Sequence, residues 1–95
     1  MSEQKKKIII IDDVELNRAI LSEAFSKKYD VIEANDGSEG LNKIYENEND
    51  LAAIFLDVIM PEMDGFSVLQ ELENNNIMKR IPLFIITSEA TDYVV

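Results

Sequence analysis

Lys7-Ile8-Ile9-Ile10-Ile11-Asp12-Asp13 is a β-branched apolar run closed by two carboxylates. Four isoleucines in a row have no polar alternation, the pattern of a parallel strand buried on both faces. Downstream, Leu16, Ile20, Leu21, Ala24 and Phe25 recur at helical spacing, with Glu15, Arg18, Glu23 and Lys27 on the other side. Residues 29–34 return to β-rich character. Asp36-Gly37-Ser38-Glu39 is a turn that also starts a helix, with aspartate at the N-cap and glutamate three positions on. Gly40, Leu41, Ile44 and Tyr45 supply that helix's apolar stripe, and the polar residues 47–50 end it.

Residues 53–56 repeat the buried-strand pattern, and Asp57 follows at once. Phe66, Leu69 and Leu72 mark a third amphipathic helix, closed by residues 74–76. Pro82 precedes a fourth apolar strand, Leu83–Ile86, after which come Thr87, Ser88 and Glu89. Thr91-Asp92 is read as the start of another helix. The order is βαβαβαβ, which predicts an α/β fold with a mostly parallel sheet and helices on both faces. Right-handed crossovers restrict the connectivity. In such doubly wound sheets, ligands bind beyond the carboxyl ends of the strands, where the winding reverses.

Composition narrows the chemistry. Ninety-five residues are read as one small domain, 1–95, and such chains bury only about 60–65% of their unfolded surface. Nine Lys plus Arg against 19 Asp plus Glu give a net charge of −10, which disfavours nucleic acid and favours cations or basic partners. Residues 5–7, three lysines, are read as solvating the amino terminus. The absence of Cys excludes a disulfide scaffold and thiolate chemistry, and the absence of His excludes imidazole ligation and acid–base work by this chain. At 46% hydrophobic the sequence is too apolar for disorder. Its apolar runs fall far short of the roughly 20 residues of a membrane span. No export signal is read, and a cytoplasmic location is expected.

The strand-end residues carry the argument for a site. Asp12 and Asp13 end the first strand, Asp57 ends the third and Thr87 the fourth. With strands one and three adjacent, three carboxylates converge. That arrangement needs a cation or a proton between them. Oxygen donors without nitrogen or sulfur suit Mg²⁺, Mn²⁺ or Ca²⁺. Taken singly, each residue has a structural explanation. Asp12-Asp13 reads as a helix cap, Asp57 as a turn starter, and Thr87 as an ordinary strand residue. Their common placement at one end of the sheet favours the site.

These residues resemble the receiver domain of two-component response regulators. The matching segments are the run into Asp12-Asp13, then Asp57-Val58-Ile59-Met60-Pro61-Glu62-Met63-Asp64-Gly65, then Pro82 through Thr87-Ser88. The resemblance covers essentially the whole chain from Lys6. It implies a flavodoxin-like sheet of order 2-1-3-4, the four-strand part of the family's 2-1-3-4-5. It implies Asp57 as phosphoacceptor, with Mg²⁺ (or Mn²⁺) held by Asp12, Asp13, Asp57 and the Ile59 backbone carbonyl. Thr87 matches the hydroxyl that contacts the phosphoryl group and couples it to a switch. Ser88, Pro61 and Gly65 match supporting positions in the loops. The implied partner is a sensor histidine kinase or phosphotransfer protein, which contributes the histidine that this chain lacks. The reading is a self-phosphorylating module and not a turnover enzyme.

Family members continue through a full fourth helix, a fifth strand with a preceding lysine, and a fifth helix, roughly 30 residues more. Relative to them the chain is read as incomplete at its carboxyl end, with impaired phosphorylation and switching expected. Lys79 and Arg80 lie before the fourth strand, at its opposite end, and do not substitute for that lysine. Leu83–Ile86 then forms an apolar edge, and a homodimer pairing around it is expected. Two other readings compete. Haloacid-dehalogenase-type phosphatases place a second aspartate two residues after the nucleophile, where this chain has Ile59. The other is a non-signalling interaction fragment with an idle acidic pocket.

Overall fold

The computed structural model describes residues 5–58 and 65–86. Its elements alternate: β1 (Lys7–Ile11), α1 (Glu15–Phe25), β2 (Asp30–Ala34), α2 (Gly37–Glu46), β3 (Leu51–Asp57), α3 (Gly65–Asn74), a short 3₁₀ turn (Ile77–Lys79) and β4 (Leu83–Ile86). All strand pairs are parallel and the sheet order is β2-β1-β3-β4. This is the flavodoxin-like arrangement, with the winding reversing between β1 and β3. The helix read at Thr91-Asp92 lies outside the described residues.

β1 is one of the two inner strands of the sheet, and Ile8 through Ile11 are all buried. Ile9, Ile11, Ile54 and Leu56 pack with Ile44 of α2 and with Val68 and Leu72 of α3 to form the principal core. α2 approaches β1 so closely that a Cβ on Gly40 would fall 2.6 Å from the Ile11 side chain. The read cap is present: Asp36 is the N-cap and accepts from the Glu39 amide at 2.8 Å. Glu39 bonds back to the Asn35 amide at 2.8 Å, one residue earlier than in the standard reciprocal box. After α3, Asn76 takes a left-handed conformation (φ 62°), which asparagine tolerates, and reverses the chain so that Ile77 is buried.

The opposite face is more open. Phe25 of α1, Phe55 of β3 and Phe84 of β4 form a ladder with successive ring centroids 5.2 Å apart. Leu21 and Phe25 of α1 are half-buried, but Leu16 and Ile20 are 66% and 58% exposed. The expected stripe on α1 is therefore only partly used, because the helix rests on the sheet through one edge of that stripe. In α3, Phe66 is exposed while Val68 and Leu72 are buried, so the buried face is rotated from the one read through Phe66. β3 is longer than the read 53–56, since Leu51, Ala52 and Asp57 also belong to the strand. No helix among the described residues is long and apolar enough to cross a membrane.

Candidate phosphoacceptor and metal site

Strand register sets the heights of the acidic residues. Ile11 of β1 pairs with Ala34 of β2 and with Leu56 of β3. Asp12 and Asp57 are the next residues on adjacent parallel strands, and so end at the same level. Ile10 and Phe55 are also partners, so Asp12 and Asp57, each two residues on, share one face of the sheet by strand alternation. Asp57 is level with Ile86 of β4.

Asp12 and Asp57 are each 1% exposed, and Asp13 is exposed at the mouth. One carboxylate oxygen from each of the three lies within 4.8 Å of the others. At an effective dielectric of about 20, two unit charges at that limit repel by about 3.5 kcal/mol. A hard divalent cation offsets such repulsion, and three carboxylate donors with neither nitrogen nor sulfur fit Mg²⁺ or Mn²⁺. Three protein oxygens also leave coordination positions for water and phosphate.

The capping explanation of the Asp pair does not hold. The N-cap of α1 is Val14, which makes no side-chain cap bond. Asp12 Oδ1 instead accepts from the Val14 amide at 2.9 Å, closing a tight turn ahead of the helix. The Asp12 amide donates to the Ala34 carbonyl at 3.1 Å, extending the ladder by one bond. Its carbonyl accepts from Arg18 Nη1 at 2.7 Å. Arg18 Nε in turn donates to Glu33 Oε1 of β2 at 3.1 Å. Arg18 and Glu33 were not among the residues read as functional. Helical spacing puts Arg18 on the solvent side of α1, yet its side chain is only 15% exposed.

Gly65 opens α3 directly below Asp57. Its amide donates to the Val58 carbonyl at 3.2 Å, and a Cβ there would meet Val58 Cα at 2.1 Å and the Asp57 carbonyl oxygen at 2.5 Å. Close backbone approach therefore leaves no room for a side chain at position 65. Ile59, Pro61, Thr87 and Ser88 lie outside the described residues.

Residues 8–95 match the family model described as the response regulator receiver domain. The chain belongs to the response regulator receiver family. Among similar curated proteins, the alkaline phosphatase synthesis transcriptional regulatory protein PhoP of Bacillus subtilis is 35% identical over 89 residues, covering 93% of this chain and 35% of that protein. The sensor histidine kinase CheAY of Helicobacter pylori is 33% identical over 85 residues, covering 88% of this chain and 11% of that protein. This receiver thus spans about a third or less of these relatives' length. Among solved structures, the chemotaxis protein CheY4 of Vibrio cholerae is 26% identical with a TM-score of 0.76, covering 93% of this chain and 76% of that one. The CheX–CheY–BeF₃–Mg²⁺ complex of Borrelia burgdorferi gives 25% identity and a TM-score of 0.79, covering 90% and 63%. For this receiver, those likenesses agree with the parallel 2-1-3-4 sheet.

Proposed function

We propose that this receiver accepts a phosphoryl group on Asp57 from the phosphohistidine of a sensor kinase or phosphotransfer protein, in a Mg²⁺-dependent reaction. The observation that carries the reading is the burial of Asp57 at the end of β3 within 4.8 Å of the Asp12 and Asp13 carboxylates. An Asp57 carboxylate oxygen attacks phosphorus; the O–P bond forms as the P–N bond breaks, and the imidazole departs with its electron pair. Asp12, Asp13 and Asp57, with the Ile59 carbonyl, are the proposed holders of the cation. Bound Mg²⁺ supplies neutralisation of the phosphoryl charge, the chief requirement of this reaction. The Borrelia complex, which contains a CheY, BeF₃ and Mg²⁺, supports the same pairing of groups.

Thr87 is proposed to donate its hydroxyl to the phosphoryl oxygen and so convert about two added negative charges into a change of surface. Ser88, a small residue, is proposed to keep room for phosphoryl entry, and Pro61 and Gly65 to shape the loop after Asp57. The chain modifies itself in this scheme and turns over no separate substrate. Incubation with Mg²⁺ and acetyl phosphate, followed by intact-mass measurement, tests it. One phosphoryl adduct, lost in Asp57→Asn and with EDTA, is expected. No adduct on the native chain, or an equal adduct on Asp57→Asn, rejects the assignment. If Asp57→Asn also leaves Mn²⁺ affinity and kinase binding unchanged, the pocket is idle.

A further inference from the structure

We propose that Arg18 is a positioning residue for the metal site, acting through the main chain of Asp12. This rests on the reading of Asp12, Asp13 and Asp57 as cation ligands. A guanidinium beside the turn that carries Asp12 and Asp13 would be expected to pair with one of those carboxylates. Arg18 instead spends Nη1 on the Asp12 carbonyl at 2.7 Å and Nε on Glu33 at 3.1 Å. Glu33 sits on β2 and Asp12 just beyond β1, so the side chain ties the turn before α1 back to the sheet. Asp12 is then fixed at its amide by Ala34, at its carbonyl by Arg18 and at Oδ1 by Val14. That turn also carries Asp13, the exposed member of the cluster. A planar fork with several donors can hold two acceptors in set directions, whereas a lysine ammonium acts as a point charge on a flexible stem.

The proposal predicts an effect opposite in sign to simple electrostatics. Removing a cation beside an acidic site strengthens divalent-ion binding if Arg18 acts only as a charge. It weakens binding if Arg18 holds the ligands in place, as outer partners of metal ligands commonly do, by about 10–100-fold.

The test is Mn²⁺ titration, followed by the electron paramagnetic resonance signal of the free ion, with thermal melting recorded in parallel without metal. Arg18→Ala is expected to bind Mn²⁺ about tenfold more weakly than the native chain. Unchanged or tighter binding overturns the proposal. Arg18→Lys keeps the charge and serves where Arg18→Ala fails to fold; it is expected to bind more weakly than the native chain, and native affinity in it overturns the proposal. Asp13→Asn separates the two layers of argument. If the native chain binds Mn²⁺ and Asp13→Asn does not, while both Arg18 variants bind as the native chain does, only the role of Arg18 is rejected. If the native chain binds no Mn²⁺, the site reading falls and the role of Arg18 falls with it.

Discussion

Gly65 lies so close to Asp57 that a Cβ on the glycine would stand 2.5 Å from the Asp57 carbonyl oxygen. The nearer obstacle, Val58 Cα at 2.1 Å, is also backbone, so no side-chain rotation relieves the clash. Gly65→Ala must push the start of α3 away from the end of β3, and Val68 and Leu72 of the core move with it. Overpacking usually costs about 1–3 kcal/mol, and a main-chain obstacle places this change at the upper end. Urea unfolding is expected to show a loss of about 3 kcal/mol, with weaker Mn²⁺ binding in the variant that remains folded. Native stability in Gly65→Ala would contradict the close approach.

The carboxylate cluster makes a second prediction, about stability in the absence and presence of metal. Asp13 is exposed, and in metal-free buffer its main electrostatic effect is to repel Asp12 and Asp57. Asp13→Ala is therefore expected to melt higher than the native chain in EDTA. With Mg²⁺ at tenfold its Kd, the native chain gains about 1.4 kcal/mol. For a domain of this size that is roughly 6–11 °C in Tm. Asp13→Ala should lose most of that gain. Differential scanning calorimetry with EDTA and with Mg²⁺ checks both signs, and a Mg²⁺ response equal in the two chains would refute the cation site.

The inner strands were legible because parallel strands covered on both faces need continuous apolar runs, and those within β1 and β3 are of that kind, while the apolar run of β4 marks a strand that is half-exposed. The convergence of Asp12 and Asp57 was legible too, since each immediately follows such a run and β1 lies beside β3. Helix faces were less so. Spacing identifies which residues share a stripe but not how much of it is covered, and Leu16 and Ile20 are exposed despite sharing a stripe with Leu21 and Phe25. Arg18 was invisible for another reason. Its partner at the site is a main-chain carbonyl, which every residue has, so no residue type in the sequence marks it. The contact at Gly65 is tertiary, and a glycine after an aspartate reads first as a turn.

The start of α2 predicts an acid-side response. The hydrogen bond from the Asn35 amide to the Glu39 carboxylate is the largest influence, and together with smaller attractions from Lys43 and Arg18 it outweighs partial burial, holding Glu39 below its ordinary value of 4.5. A carboxylate whose pKa is lower when folded binds its proton more readily in the unfolded chain. Its contribution is therefore present above about pH 4.5 and is lost as pH falls through the lowered folded value. Glu39→Gln should show a shallower loss of stability below pH 4.5 than the native chain, and a lower plateau near neutrality. Urea midpoints across pH 3–7 measure both, and superimposable profiles would argue against the cap.

β4 is the edge of the sheet among the described residues, and it carries four apolar side chains in succession. Phe84 is 51% and Ile85 54% exposed, on opposite faces of the strand. Its outer amides and carbonyls offer a ready template for another strand, and neither proline nor charge within Leu83–Ile86 blocks the approach. A net charge of −10 opposes association at low salt, while the apolar edge favours it once that charge is screened. The 95-residue polypeptide is therefore expected to be mainly monomeric at low ionic strength and to form dimers at 0.3 M salt and high micromolar concentration. Ile85→Lys places a charge on the edge and should restore the monomer in high salt. Multi-angle light scattering at the two salt concentrations decides the matter, and a native chain that stays monomeric in both would show that this edge does not self-pair.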